Sequence, residues 1–177
     1  MASEADGLSV SRLHLLVITR PTSVADFPSI LRINRESSPH VATLDAAELQ
    51  RLIGLASVST VTVGASGVVA YLLAMAHHAS YDGEEFQRFR SQLTTSFLYI
   101  DQVAVCAEAQ GQGIASTLYM HVEQWARSHG IAHLCCEVNL EPANSVSLDF
   151  HYKMGFRELE RLDTLDGRRV ALLTKEV

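Results

Sequence analysis

The chain has 177 residues, of which 47% are hydrophobic and 19% charged, with a net charge of -6. That balance belongs to a globular protein with room for a real core, and it argues against a disordered chain or a nucleic-acid surface. Three cysteines without paired spacing argue against a disulfide framework and point to a reducing compartment. The polar, acidic start MASEADG lacks the basic and apolar regions of a signal peptide, and the apolar run Val68–Ala76 is too short to span a bilayer. The expectation is one cytoplasmic domain over residues 1–177, with 1–10 as a flexible tail and no membrane or nucleic-acid partner.

In chain order, Leu13–Arg20 is apolar and β-branched and predicts a first strand, ended by Pro21. Thr22 or Ser23 then caps a helix on which Phe27, Ile30, Leu31 and Ile33 recur at helical spacing, stopped by Pro39. Asp45 caps a second helix with Leu49, Leu52, Ile53 and Leu55 on its stripe. Two β-rich runs around Gly64–Gly67 predict a hairpin. The polar stretch ASYDGEEFQRFRSQLTT reads as a surface loop or a short helix. A strand over 96–105 leads into AQGQGIAST, and Ile114, Leu118, Val122 and Trp125 mark an amphipathic helix closed by Gly130. A strand over 131–140, a short helix over Asn144–Gly155 and a final hairpin about Asp166-Gly167, read as a type I′ turn, complete the chain. The order β-α-α-β-β-β-α-β-α-β-β predicts a mixed α/β domain of α+β type, with a largely antiparallel sheet flanked by helices.

The stretch AQGQGIAST carries the first functional signal. A strand feeds a glycine turn and a helix starts inside it, so unpaired backbone N–H groups and the helix dipole face one point, as in an anion site. A phosphate loop of the GxxxxGK type needs a lysine that is absent here. A dinucleotide fingerprint needs Gly or Ala where Ser116 stands. Gln110-Gly111-Gln112-Gly113-Ile114-Ala115 instead matches Q/R-x-x-G-x-G/A. That pattern resembles the acyl-CoA pyrophosphate loop of the GNAT superfamily of N-acetyltransferases. Val103-Ala104-Val105 stands upstream, where the family's strand pairs with the pantetheine arm. Asn144 and the pair Gly155-Phe156 downstream resemble the family's N-x-x-A-x-x-x-Y-x-x-x-G-F segment. The resemblance covers the chain from about residue 12 onward and extends to the element order.

The resemblance implies acetyl-CoA as co-substrate, held by Val103, Ala104, Val105, Gln110, Gly111, Gln112, Gly113, Ile114, Ala115 and Ser116, with Asn144, Ser147 and His151 from the second segment. No Arg or Lys lies between Val105 and Val122, so recognition of the pyrophosphate rests on backbone amides and the helix dipole. In the second segment the family's tyrosine, which protonates the departing thiolate, is replaced by His151, and Tyr152 is one residue late. One residue on a helix is about 100°, so Tyr152 faces elsewhere, whereas Asn144, Ser147, Leu148 and His151 share a face. His151 is therefore the candidate acid or thiolate stabiliser, and a histidine that only packs beside the cofactor is the alternative. Asn144 also has the local role of helix N-cap.

An amine nucleophile must lose a proton before it attacks. Glu137 and Asp101 stand in otherwise apolar strands, where carboxylates are costly without a partner, and are the candidate bases. Strand alternation groups Cys135, Glu137 and Asn139 on one face and Tyr99, Asp101, Val103 and Val105 on another. Adjacent His77 and His78 make a poor chelate on a strand, so no metal is expected. Cys106, Cys135 and Cys136 read as apolar filling. The expected activity is transfer of an acetyl group from acetyl-CoA to a primary amine, that of a small molecule, by direct attack. A non-catalytic acyl-CoA-binding or regulatory domain on the same fold is the alternative. The expected partners are acetyl-CoA and the amine substrate, and the sequence is compatible with a homodimer.

Overall fold

The computed structural model describes residues 17–177; the expected tail over 1–10 and the start of the first expected strand, 13–16, lie outside them. The elements are β1 (Ile18–Pro21), α1 (Phe27–Glu36), α2 (Ala46–Leu55), β2 (Val58–Gly64), β3 (Gly67–Ala76), α3 (Glu84–Gln92), β4 (Phe97–Val105), α4 (Ile114–Ser128), β5 (His133–Glu141), α5 (Ser145–Lys153), β6 (Arg157–Asp163) and β7 (Arg169–Glu176). The expected caps are in place. Asp45 Oδ1 accepts the Glu48 N–H at 2.8 Å, and Asn144 Oδ1 accepts the Ser147 N–H at 3.2 Å.

The stretch read as a loop or short helix is α3, and its position follows from burial rather than propensity. Phe86 and Phe89 are fully buried, and their rings meet those of Phe97 and Tyr99 on β4 at centroid distances of 5.6–6.2 Å. The polar residues face outward and hold the helix to the last hairpin. Arg88 pairs with Glu160, and Glu84 accepts the Leu165 N–H. That hairpin does not use the expected type I′ turn. Gly167 alone has a positive φ, 85°, and Asp166 does not. The Gly167 N–H closes on the Thr164 carbonyl at 3.0 Å and the Thr164 N–H on the Arg168 carbonyl at 2.8 Å, which makes a wider loop.

Among the described residues the seven strands form one sheet in the order β1-β2-β3-β4-β5-β7-β6. Its one parallel contact is β4 with β5, and it lasts three residues: Phe97, Leu98 and Tyr99 pair with His133, Leu134 and Cys135. Beyond that point the two strands part. From Ile100 to Val105, β4 is bonded to β3 on one side only, and β5 continues along β7. A sheet that splits in its middle leaves an open edge inside the molecule.

A second irregularity sits at the split. The β3–β4 register jumps between Leu73, paired with Gln102, and Ala74, paired with Ile100, so Asp101 is an extra, bulged residue. This corrects the expected face of β4. Tyr99 shares a face with Gln102 and Ala104, whereas Val103 and Val105 go with Ile100. The face expected for β5 holds, because its register with β7 is unbroken from His133 to Asn139.

Fully buried Asn34 links α1 to the sheet and to the loop before α2. Its Nδ2 lies 2.9 Å from the Ala42 carbonyl, 3.0 Å from the Tyr71 hydroxyl and 3.2 Å from Gln102 Oε1, and its Oδ1 accepts the Leu44 N–H at 2.8 Å. Removing it strands several buried polar groups at once. Asn34→Ala is expected to lower unfolding stability by about 2–3 kcal/mol in urea titration. Full stability in that variant would show that water replaces the amide.

Candidate active site

A cavity of about 1170 Å³ opens where β4 and β5 part. Of the expected site residues, Asp101, Val103, Ala104, Val105, Gln110, Gly111, Gly113, Ile114, Ala115, Ser116, Glu137, Asn144 and Ser147 line it. Gln112 and His151 do not. The Gln112 side chain turns back onto the Glu108 carbonyl at 3.0 Å and lines a separate depression beside Cys106.

The open edge of β4 supplies directed backbone groups. The Cys106 N–H bonds the Val69 carbonyl at 2.8 Å. Antiparallel alternation then turns Gln102 and Ala104 toward β3 and leaves the N–H groups of Val103 and Val105 facing the cavity. Gln110 fastens the following turn by donating from Nε2 to the Val105 carbonyl at 3.0 Å. Gly111 and Gly113 have φ of 72° and 82°, a region that glycine enters without a Cβ penalty. A Cβ at either would meet nothing within 4 Å, so the need for glycine is conformational rather than steric. The first bond within α4 is from the Thr117 N–H to the Gly113 carbonyl at 3.0 Å. The N–H groups of Ile114, Ala115 and Ser116 thus lack intrahelical partners at a positive helix end that faces the cavity. These groups suit a pyrophosphate.

His151 is buried, and both of its ring nitrogens are engaged inside the protein. Nδ1 lies 2.7 Å from the Ser147 carbonyl and must carry the proton, because a carbonyl only accepts. Neutral His151 therefore accepts at Nε2, from the Tyr119 hydroxyl 2.6 Å away. Burial pushes the His151 pKa down, against a smaller lift from the Ser147 carbonyl. Burial pushes the Tyr119 pKa well up. Tyr119 lines the cavity and His151 stands behind it. Tyr152 is exposed and bonds Glu158, away from the cleft.

The two expected carboxylates meet in the same cavity, each under a tyrosine. The Tyr99 hydroxyl donates to Glu137 Oε2 at 2.7 Å, and the Tyr81 hydroxyl donates to Asp101 Oδ1 at 2.5 Å. Burial pushes the Glu137 pKa up to about 8, helped by repulsion from Glu85 and Asp101 and opposed by the Tyr99 bond. Burial likewise pushes Asp101 up to about 6, with the Tyr81 bond opposing and Glu85 adding. Arg168, also in the cavity wall, donates to Glu85 at 2.8 Å, Asp166 at 2.7 Å and Asn139 at 3.2 Å, and so ties the last hairpin to α3 and β5.

Tyr81, Tyr99, Glu85, Tyr119 and Arg168 were not legible as site residues. Tyr119 follows Leu118 on the apolar stripe of its helix and reads as core, and Arg168 sits in a turn. The three cysteines are buried, as expected of filling. Among the described residues no group of His, Cys, Asp and Glu is placed to hold a metal ion, and no helix is long and apolar enough to cross a membrane.

A splayed parallel strand pair, an open strand edge and a glycine turn into a helix N-terminus define an acyltransferase-type architecture. The chain belongs to the Acetyltransferase (GNAT) family, whose model matches residues 13–156. Solved structures agree in fold. The chain is similar to Arabidopsis thaliana NAA60 in complex with acetyl-CoA, at 16% identity and TM-score 0.73, covering 91% of this chain and 99% of that one. It is similar to the ribosomal-protein-S18-alanine N-acetyltransferase of Escherichia coli, at 14% identity and TM-score 0.70, covering 92% and 94%. It is also similar to Arabidopsis thaliana Naa50 in complex with the bisubstrate analogue CoA-Ac-MVNAL, at 15% identity and TM-score 0.69, covering 91% and 99%. A comparison with curated protein sequences finds no match.

Proposed function

We propose that the protein is an acetyl-CoA-dependent N-acetyltransferase that acetylates a primary amine of a small molecule by direct attack. The observation that carries this reading is the split between β4 and β5, which brings an open strand edge, a helix N-terminus and a raised-pKa carboxylate into one cavity. The family assignment and the acetyl-CoA bound to Arabidopsis NAA60 support the choice of co-substrate.

In this reading Gly111 to Ser116 hold the pyrophosphate through backbone N–H groups, and Val103 to Val105 pair with the pantetheine arm. Acetyl-CoA supplies the acyl group and a thiolate leaving group. Glu137 takes the proton from the substrate ammonium, directly or through water, and its raised pKa suits it to a neutral working pH. The Val103 N–H polarises the acyl oxygen. Tyr119 gives its hydroxyl proton to the departing sulfur. Neutral His151 orients the Tyr119 hydroxyl from Nε2, and solvent returns the proton to the tyrosinate, so His151 acts through Tyr119 rather than on the thiolate itself. Asn144 caps α5 and presents its amide to the pantetheine side. The reading places a single catalytic domain in the cytoplasm, working without metal, membrane or nucleic acid, and compatible with a homodimer.

A peptide N-terminus is the second acceptor reading, favoured by the likeness to Naa50 with its peptide-bearing analogue. The test is thiol release from acetyl-CoA with a panel of small amines and of peptides with free N-termini. Turnover of small amines above peptides is expected. Tight acetyl-CoA binding with no turnover on either set would replace the transferase by a regulatory acyl-CoA-binding domain.

A further inference from the structure

Two carboxylates of the cavity, Asp101 and Glu137, have no Lys or Arg paired with them among the described residues. We propose that the acceptor carries a second cationic centre besides the amine that is acetylated, as a diamine or polyamine does, with Asp101 binding the non-reacting ammonium. The inference rests on the transferase reading above for the identity of the cavity.

The cations nearby are committed elsewhere. Arg168 bonds Glu85 and Asp166, Arg51 bonds Glu48 and Asp82, and Arg32 bonds Glu36. Among the described residues no Lys or Arg bonds Asp101 or Glu137. One carboxylate suffices as a base, so the other needs a different explanation. Asp101 Oδ1 takes the Tyr81 hydroxyl, but Asp101 Oδ2 is buried with no hydrogen-bond partner. A buried carboxylate oxygen without a donor is uncommon in a native structure and marks a site that something else completes. The residue stands at the bulge in β4, between Ile100 and Gln102, where it has no partner on β3.

The chemistry of the missing donor follows from the surroundings. An ammonium brings positive charge and three N–H donors. The Tyr81 ring, partly buried in the cavity wall, gives an apolar flank for a methylene stem, while its face carries the Arg51 guanidinium at 5.8 Å. Arg168 in the wall is held by Glu85 and Asp166, so a carboxylate-bearing acceptor, such as an amino acid, would meet Asp101 and Glu137 with no uncommitted cation and be disfavoured.

Three probes of one chain length separate these cases: 1,4-diaminobutane, butylamine and 4-aminobutyrate, joined by longer diamines up to 1,8-diaminooctane. Binding to the CoA-loaded full chain is measured by titration calorimetry. A diamine of the best length is expected to bind roughly tenfold or more tightly than the monoamine, with 4-aminobutyrate weakest. Asp101→Asn, which is isosteric, is expected to bring the diamine-to-monoamine ratio close to one. Equal affinities in the unmodified protein, or an unchanged ratio in the variant, would overturn the proposal. The ratio in the unmodified protein decides the matter even where the variant is unstable. Diamine selectivity without acetyl transfer to any amine keeps the second-cation site and removes the transferase reading. Transfer at equal kcat/KM to diamine and monoamine does the reverse.

Discussion

Glu137→Gln is expected to lower kcat by about 10²- to 10⁴-fold while leaving the KM for acetyl-CoA within a few-fold, the range for loss of a general base. The amide keeps the shape and the Tyr99 hydrogen bond but cannot take a proton. The pH dependence follows from the raised pKa. Glu137 acts as a base only when ionised, so kcat/KM of the unmodified protein should rise with pH and level off near the value of about 8. The residual rate of the variant should lose that limb. Stability moves the other way. The folded pKa lies above that of the unfolded chain, near 4.3, so between these values the folded state holds a proton that the unfolded state does not. Stability attributable to Glu137 is then complete at low pH and is lost as pH rises through about 8. Glu137→Gln should therefore melt a few degrees higher than the unmodified protein on the alkaline side of that value. A variant that keeps its rate and its acid limb would move the base to another group, with Asp101 the first alternative.

Tyr119→Phe is expected to lower kcat about 10²-fold, again with little change in the KM for acetyl-CoA. The hydroxyl is the polar end of a residue that lines the cavity, and His151 fixes it at 2.6 Å. Removing it also leaves His151 Nε2 buried without a donor, at a stability cost of about 1–2 kcal/mol. The division of roles is read from the second variant. If His151 works through Tyr119, His151→Phe lowers kcat, and the double variant is no slower than Tyr119→Phe alone. A histidine that only packs would cost stability and leave kcat untouched. Thiol-release kinetics and a thermal melt on the same three proteins separate these outcomes.

Much of the fold is legible along the chain because its signals are local. The caps at Asp45 and Asn144, the hairpin about Gly64–Gly67 and the amphipathic stripe after Gly113 each depend on a few neighbouring residues. The glycine turn is legible for the same reason. Gly111 and Gly113 adopt the positive φ that their spacing implies, and the residues after them face the cavity. Failures occur where the deciding contact is distant. The polar stretch over 84–92 is a helix because Phe86 and Phe89 find Phe97 and Tyr99. The last turn widens because only Gly167 takes a left-handed conformation.

The residues by themselves marked the glycine turn as an anion site and Glu137 and Asp101 as out of place in apolar strands, and the family resemblance added that His151 stands where a tyrosine is usual. All three are statements about residue type at a position, which the order of residues along the chain expresses. Only the tertiary structure decided what those residues face. A bulge at Asp101 shifts the strand by one residue, and no alternation rule foresees an insertion that the neighbouring strand alone reveals. His151 turns its second nitrogen to Tyr119, 32 positions away on another helix, because a buried polar atom left without a partner is costly. The carboxylates acquire their raised pKa values from burial and from neighbouring carboxylates, brought together where β4 and β5 part after three paired residues.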